Sequence, residues 1–188
     1  MKALLLAALL LPCAAQAAAP APRYLPQHDA MITYRSQGSD PNVPPSLSVR
    51  YSADLGRIRV DGVPLGYLLV DRRVERVELV MPLPKMVLQL PPGGGIVDGF
   101  ILGPNLHFTA TGTDKVIGKS CTTYDVTTDR DRAKGRVCLT ADGLLLRGEG
   151  QGRDGRSARI EAVTVSLAPQ PVGLFSPPDG YSIVALGK

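Results

Sequence analysis

Alternation constrains this chain more than any other feature. From residue 47 onward, apolar and polar residues take turns in short runs, and turn residues separate the runs. In 47–52, Leu47, Val49 and Tyr51 point one way while Ser48, Arg50 and Ser52 point the other. In 57–61, Ile58 and Val60 stand against Arg57, Arg59 and Asp61. Side chains on a strand alternate between its faces, so a period of two marks a half-buried strand. Asp61-Gly62 follows, and such a pair suits a hairpin turn because both residues tolerate positive φ. The runs at 65–71, 74–81 and 85–90 continue the pattern. The middle run also fits a helical period; its valines and the terminating Pro82 favour a strand. No amphipathic pattern longer than three helical turns follows the N-terminal stretch. The expected fold class is mainly β and antiparallel.

In the last third, turn chemistry sets the register. Asp142-Gly143 and Asp154-Gly155 are hairpin signals, and the polar 127–132 sits between the only cysteines after Cys13. Two-residue loops at 129–130, 142–143 and 154–155 give a four-stranded meander over 118–128, 131–141, 144–153 and 156–167. The first hairpin then sets Cys121 opposite Cys138, Thr123 opposite Arg136 and Asp125 opposite Lys134. The second sets Arg136 opposite Glu149 and Cys138 opposite Arg147. The cysteines share a charged face. The other face carries Tyr124, Val126, Val137, Leu139, Leu144, Leu146, Val163, Val165 and Leu167. Its apolar pattern shifts near Ala162, which predicts a β-bulge and hence a bent sheet. Tyr124, Val126, Val137, Leu139, Leu146, Val163 and Val165 are the candidate lining of an apolar cavity on the concave side.

Residues 91–105 are too rich in glycine and proline for a long regular element. Ile96, Val97, Phe100, Ile101 and Leu102 are too apolar for an ordinary solvated loop. Two readings stand: a loop packed on the core, or a lid over an apolar cavity.

Residues 1–17 read as a signal peptide, with Lys2, an apolar run, and a small-residue cleavage pattern at Ala15-Gln16-Ala17. Pro12 argues against acylation of Cys13. The apolar run is shorter than the roughly 20 residues that span a bilayer. Residues 18–28 read as a flexible tail and 29–188 as a single β-rich domain. The expected location is the periplasm, where two paired cysteines form a disulfide. Cys121 and Cys138 lack the C-x-x-C spacing of redox catalysts and read as a structural staple.

Reactive chemistry is hard to place. His28 and His107 have no neighbouring ligands in a metal-binding pattern. No G-x-S-x-G elbow occurs. The glycines of 148–155 lack the Lys-Ser/Thr of a phosphate loop. The net charge of +4 is scattered, without the basic stripe of a nucleic-acid binder. No catalytic residue, metal or cofactor is assigned.

Three segments carry a family resemblance: 114–126, 135–150 and 173–186. The matching positions are Gly118, Cys121, Tyr124, Cys138, Thr140, Asp142, Gly143, Leu174, Phe175, Pro177, Pro178, Gly180 and Tyr181. Together they resemble an exported bacterial family of unknown function, itself similar in fold to the outer-membrane lipoprotein carriers of the LolA and LolB type. The resemblance implies an antiparallel sheet curled into an incomplete, half-open β-barrel around an apolar cavity, closed by short helices or loops. It also implies a non-catalytic binding or carrier-like protein for a lipid or a lipoprotein acyl chain. The alternative is a cell-envelope accessory or interaction protein whose partner is another envelope protein.

Overall fold

The computed structural model of the chain describes residues 21–38, 44–90, 106–128, 134–151 and 156–185. The signal peptide and the candidate lid residues Ile96, Val97, Phe100, Ile101 and Leu102 lie outside the described residues.

The fold is mainly β, as the alternation predicts. Twelve strands run in sequence: β1 (Ala30–Gly38), β2 (Ser46–Ser52), β3 (Arg57–Asp61), β4 (Tyr67–Asp71), β5 (Arg76–Met81), β6 (Met86–Leu90), β7 (Leu106–Val116), β8 (Lys119–Thr128), β9 (Lys134–Leu139), β10 (Leu145–Gln151), β11 (Ser157–Ser166) and β12 (Ser182–Ala185). They form one open sheet in the order β12-β6-β5-β4-β3-β2-β1-β11-β10-β9-β8-β7. Two meanders, β2 to β6 and β7 to β11, flank β1, which pairs with β2 on one side and β11 on the other. A one-turn 3-10 helix (Val172–Phe175) precedes β12.

Register explains which face is apolar. The pairs Val165–Ile32, Ile32–Val49, Val49–Val60, Val60–Leu68, Leu68–Leu79, Leu79–Leu88 and Leu88–Val184 form one apolar row across eight strands. Paired residues share a face, so this row defines the inner face. Its centre is solid core: Ala30, Ile32 and Tyr34 are fully buried, with Leu47, Val49, Val60 and Leu68 packed around them. Burial raises the Tyr34 hydroxyl well above the usual tyrosine range and pushes Tyr51 up to about 12. Both stay neutral, and the Tyr34 hydroxyl donates to the Leu145 carbonyl at 2.7 Å, tying β1 to β10.

Part of the outer face of β4 to β6 is buried too. Tyr67, Leu69, Val80 and Val87 form a second apolar cluster against Tyr181. The chain leaving β11 crosses this face as a strap. Asp29 accepts from the Gln170 amide at 2.8 Å and from the Ala53 amide at 3.0 Å. Arg57 and Arg59 donate to the carbonyls of Phe175 and Leu174 at 3.2 Å each, and Phe175 is buried. The Ser182 amide then bonds the Lys85 carbonyl, and β12 joins β6 in parallel.

The structure changes three details expected from the sequence. The first hairpin of the meander is shifted by two residues: Thr123 faces Cys138 and Asp125 faces Arg136, while Lys134 pairs with Thr127. A shift of two preserves the faces. The polar connection there contains no turn dipeptide able to fix a register. The second hairpin has the expected pairs Arg136–Glu149 and Cys138–Arg147, then slips by one at Leu146. The segment 18–28, expected as a loose tail, is packed over part of its described length: Leu25 lies against the main core and Tyr24 against Phe108. The expected bulge in the last meander strand is present: Thr164 pairs with Thr33 and Ala162 with Tyr34, leaving Val163 between them.

Candidate functional site

Ion pairs occupy the outer face of both meanders, and on the second they join into one network. Asp125, Arg136, Glu149, Arg159, Glu161, Arg147 and Asp114 form an unbroken chain of alternating charge. Its links are 2.9, 3.9, 3.6, 2.8, 2.7 and 2.5 Å in that order. Hydrogen bonds from Arg159 and Arg147 hold the Glu161 carboxyl below its ordinary range. Four carboxylates alternate with three guanidiniums, so every charged group in the chain has an opposite neighbour and one negative charge is left over. Among the described residues, no group of three or more His, Cys, Asp or Glu is placed to hold a metal. His107 is exposed on β7.

Beneath the charges sits the disulfide. Cys121 and Cys138 are bonded, with Cα atoms 5.4 Å apart. The pair is diagonal rather than directly opposed, because Cys138 faces Thr123 and Cys121 faces Asp114 across β7. Arg147, opposite Cys138, reaches Asp114, opposite Cys121. The ion pair thus bridges the strands flanking the staple, whose cysteines are only 4% and 1% exposed. A disulfide marks an extracytoplasmic protein. No helix among the described residues is long and apolar enough to cross a membrane.

The inner face of the second meander differs from the solid centre. Val126, Val137 and Leu139 form a separate apolar cluster with Tyr24, Leu106, Phe108, Tyr124 and Leu145 around it. The strands place these residues by pairing: Phe108 with Val126, Ala110 with Tyr124, Tyr124 with Val137, and Leu139 with Leu145. Phe108 stacks on Tyr24 at 5.6 Å between ring centroids and meets Tyr124 edge-on at 5.9 Å. Unlike the core residues, Leu106, Phe108, Tyr124 and Tyr24 keep part of their surface exposed.

Of the residues expected to line a cavity, the structure brings Tyr124, Val126, Val137 and Leu139 into this one cluster. Leu146 is fully buried in the main core. Val165 also packs on that core, opposite Ile32. Val163 is the bulge residue, 39% exposed, and does not join the cluster. Leu106, Phe108 and Tyr24 are additions. Leu106 and Phe108 alternate around His107, and Ile117-Gly118, both at positive φ, make the turn that folds β7 onto β8. A hollow of about 930 Å³ lies where small residues such as Gly135 and Gly150 line up across the strands, and its border includes Asp125, Arg136, Glu149 and Arg159 of the charged face. A smaller one of about 360 Å³ lies on the charged side, bordered by Val137, Cys138 and Arg147.

No family model matches the chain, and no curated protein does. Solved structures do. An uncharacterised conserved protein from Thermus thermophilus has 13% identity and a TM-score of 0.55, covering 85% of this chain and 91% of its own. The MucA/MucB complex of Pseudomonas aeruginosa has 14% identity and a TM-score of 0.48, covering 85% of this chain and 59% of that one. A LolA superfamily protein from Nitrosomonas europaea has 12% identity and a TM-score of 0.42, covering 81% of this chain and 91% of its own. At such identities the Thermus structure shows a shared fold and nothing more.

Proposed function

We propose that this chain is a non-catalytic periplasmic binding protein whose inner apolar face takes an acyl chain of a lipid or an acylated protein. One observation carries the reading. The inner face is solid at its centre, yet over β7 to β9 it keeps a contiguous aromatic and aliphatic cluster partly open. An apolar cluster whose rim an open sheet leaves partly exposed favours an apolar ligand. The signal-peptide pattern and the disulfide support the compartment.

Displacement of a fluorescent fatty acid tests the reading. The wild-type protein binds the probe. Phe108→Glu weakens binding at least about tenfold, the loss expected when one aromatic contact of about 1.5–3 kcal/mol is removed. Its melting temperature moves by only a few degrees, because Phe108 is half-exposed. No binding by the wild type, or equal binding by the variant, overturns it.

A second reading is an envelope interaction protein with no small ligand. The β3–β4 and β5–β6 hairpin tips favour it, exposing Leu65 (73%) and Leu83 (90%) on adjacent turns, where Gly66 approaches Pro82. Cross-linking in the envelope, with and without Leu65→Ser and Leu83→Ser, distinguishes it: only this reading predicts a captured protein lost in the double variant.

A further inference from the structure

The two edges of the sheet are treated differently. At the β7 edge the pairing is broken by a bulge between Ala110 and Gly112, and Asp114 and Lys115 follow. Bulges and charges are the usual devices that stop an edge from pairing with another chain. The β12 edge has neither. Ser182–Ala185 contains no charge, proline or glycine, and no charged residue lies between Gly180 and Gly187. Ile183 is 63% and Val184 40% exposed. The strand is also anchored: the Ser182 amide bonds Lys85, Tyr181 packs on the outer cluster, and β12 holds four register pairs with β6. Among the described residues its free side is therefore an ordered row of backbone groups with no strand beside it.

We propose that β12 pairs antiparallel with β12 of a second copy of this chain, about a two-fold axis perpendicular to the sheet and midway between the two copies of Val184. The axis position follows from the pleat. Such an axis keeps the same face of both copies on the same side, and paired residues must share a face. A residue can then pair only with itself or with one an even number away. Centring on Val184 sets Val184 against its own copy and Ile183 against Ala185 of the second copy. Val184 is also where the inner apolar row ends, next to Leu88. The pairing continues that row directly into the second copy, and it sets no like charges against each other, as a two-fold through a charged residue would. Both inner faces open to the same side. Shortness is the protective device visible at β12 among the described residues, so the interface is small and the dimer weak, as contacts of low area are.

Charge pairing on the axis tests this with the intact protein. Sedimentation equilibrium on the wild type shows a monomer–dimer equilibrium at concentrations of hundreds of micromolar. Val184→Lys alone and Val184→Glu alone each sediment as monomer, because each places like charges on the axis. An equimolar mixture of the two recovers the dimer. All three retain the wild-type melting temperature within a few degrees, since Val184 is on the surface. A wild type that stays monomeric at those concentrations overturns the proposal. So does a dimer indifferent to both substitutions, or a mixture that stays monomeric while both variants are folded. Fatty-acid binding plays no part in the readout, so the outcome is independent of the ligand proposal.

Discussion

At the residue scale, the disulfide and the charge chain over it do different jobs. The staple closes the β8–β9 hairpin, and closing a loop of this length stabilises by roughly 3 kcal/mol, chiefly through the unfolded chain. Cys121→Ala/Cys138→Ala is therefore expected to lose about that much stability in urea unfolding at neutral pH. A loss below about 1 kcal/mol contradicts the account. The charge chain matters at low pH. The Glu161 carboxyl is held down by hydrogen bonds from Arg159 and Arg147. Burial opposes the shift at Asp71, but Arg57 and the amides of Arg73 and Val74 outweigh it, so that carboxyl is lowered too. A carboxyl with a depressed folded pKa contributes stability above its unfolded value of about 4, and that contribution is lost as pH falls through the folded value. The melting temperature should hold between neutral pH and about 5, then drop below about 4, and Glu161→Gln should flatten part of that drop. An identical acid profile in the variant excludes Glu161 as a contributor. Gly143 shows how close the N-terminal segment lies. It has φ of 90°, and a Cβ there would come within 2.2 Å of the Leu25 carbonyl. Gly143→Ala must displace that segment.

At the element scale, local pattern finds most strands but not their neighbours. Leu47, Val49, Ile58 and Val60 announce β2 and β3 because alternation is a property of adjacent residues. Ala30, Ile32 and Tyr34 alternate equally well, yet nothing near them says that β1 will sit between two meanders, paired with β11 far along the chain. The parallel addition of β12 is invisible for the same reason: its partner is β6, and the strap between carries no periodicity. The two-residue shift of the β8–β9 hairpin arises where turn chemistry is silent, whereas the Asp142-Gly143 hairpin keeps its expected pairs beyond the Leu146 bulge. The residues expected to line a cavity part company in the fold. Tyr124, Val126, Val137 and Leu139 share a face and a neighbourhood, but a bulge moves Val163, and tertiary packing takes Leu146 into the core. The strap gives a prediction of its own. Phe175 is 2% exposed and is its buried anchor. Phe175→Ala should cost about 3 kcal/mol, the range for a buried phenylalanine, in equilibrium unfolding. A cost near zero would show that the strap does not hold the outer face.

At the scale of the molecule, an open sheet with an apolar inner face has to account for that face. The first meander fills it with its own side chains, and the strap covers the outside. The second meander instead carries a chain of paired charges outside and a half-open aromatic cluster inside. That asymmetry is the basis for assigning binding to one flank rather than to the whole interior. Native mass spectrometry of protein purified from the periplasm, without detergent, tests the central claim most directly. The account predicts a bound species with the mass of a lipid or fatty acid, lost in Phe108→Glu. A wild-type protein that is empty, and remains empty after incubation with fatty acid, contradicts it.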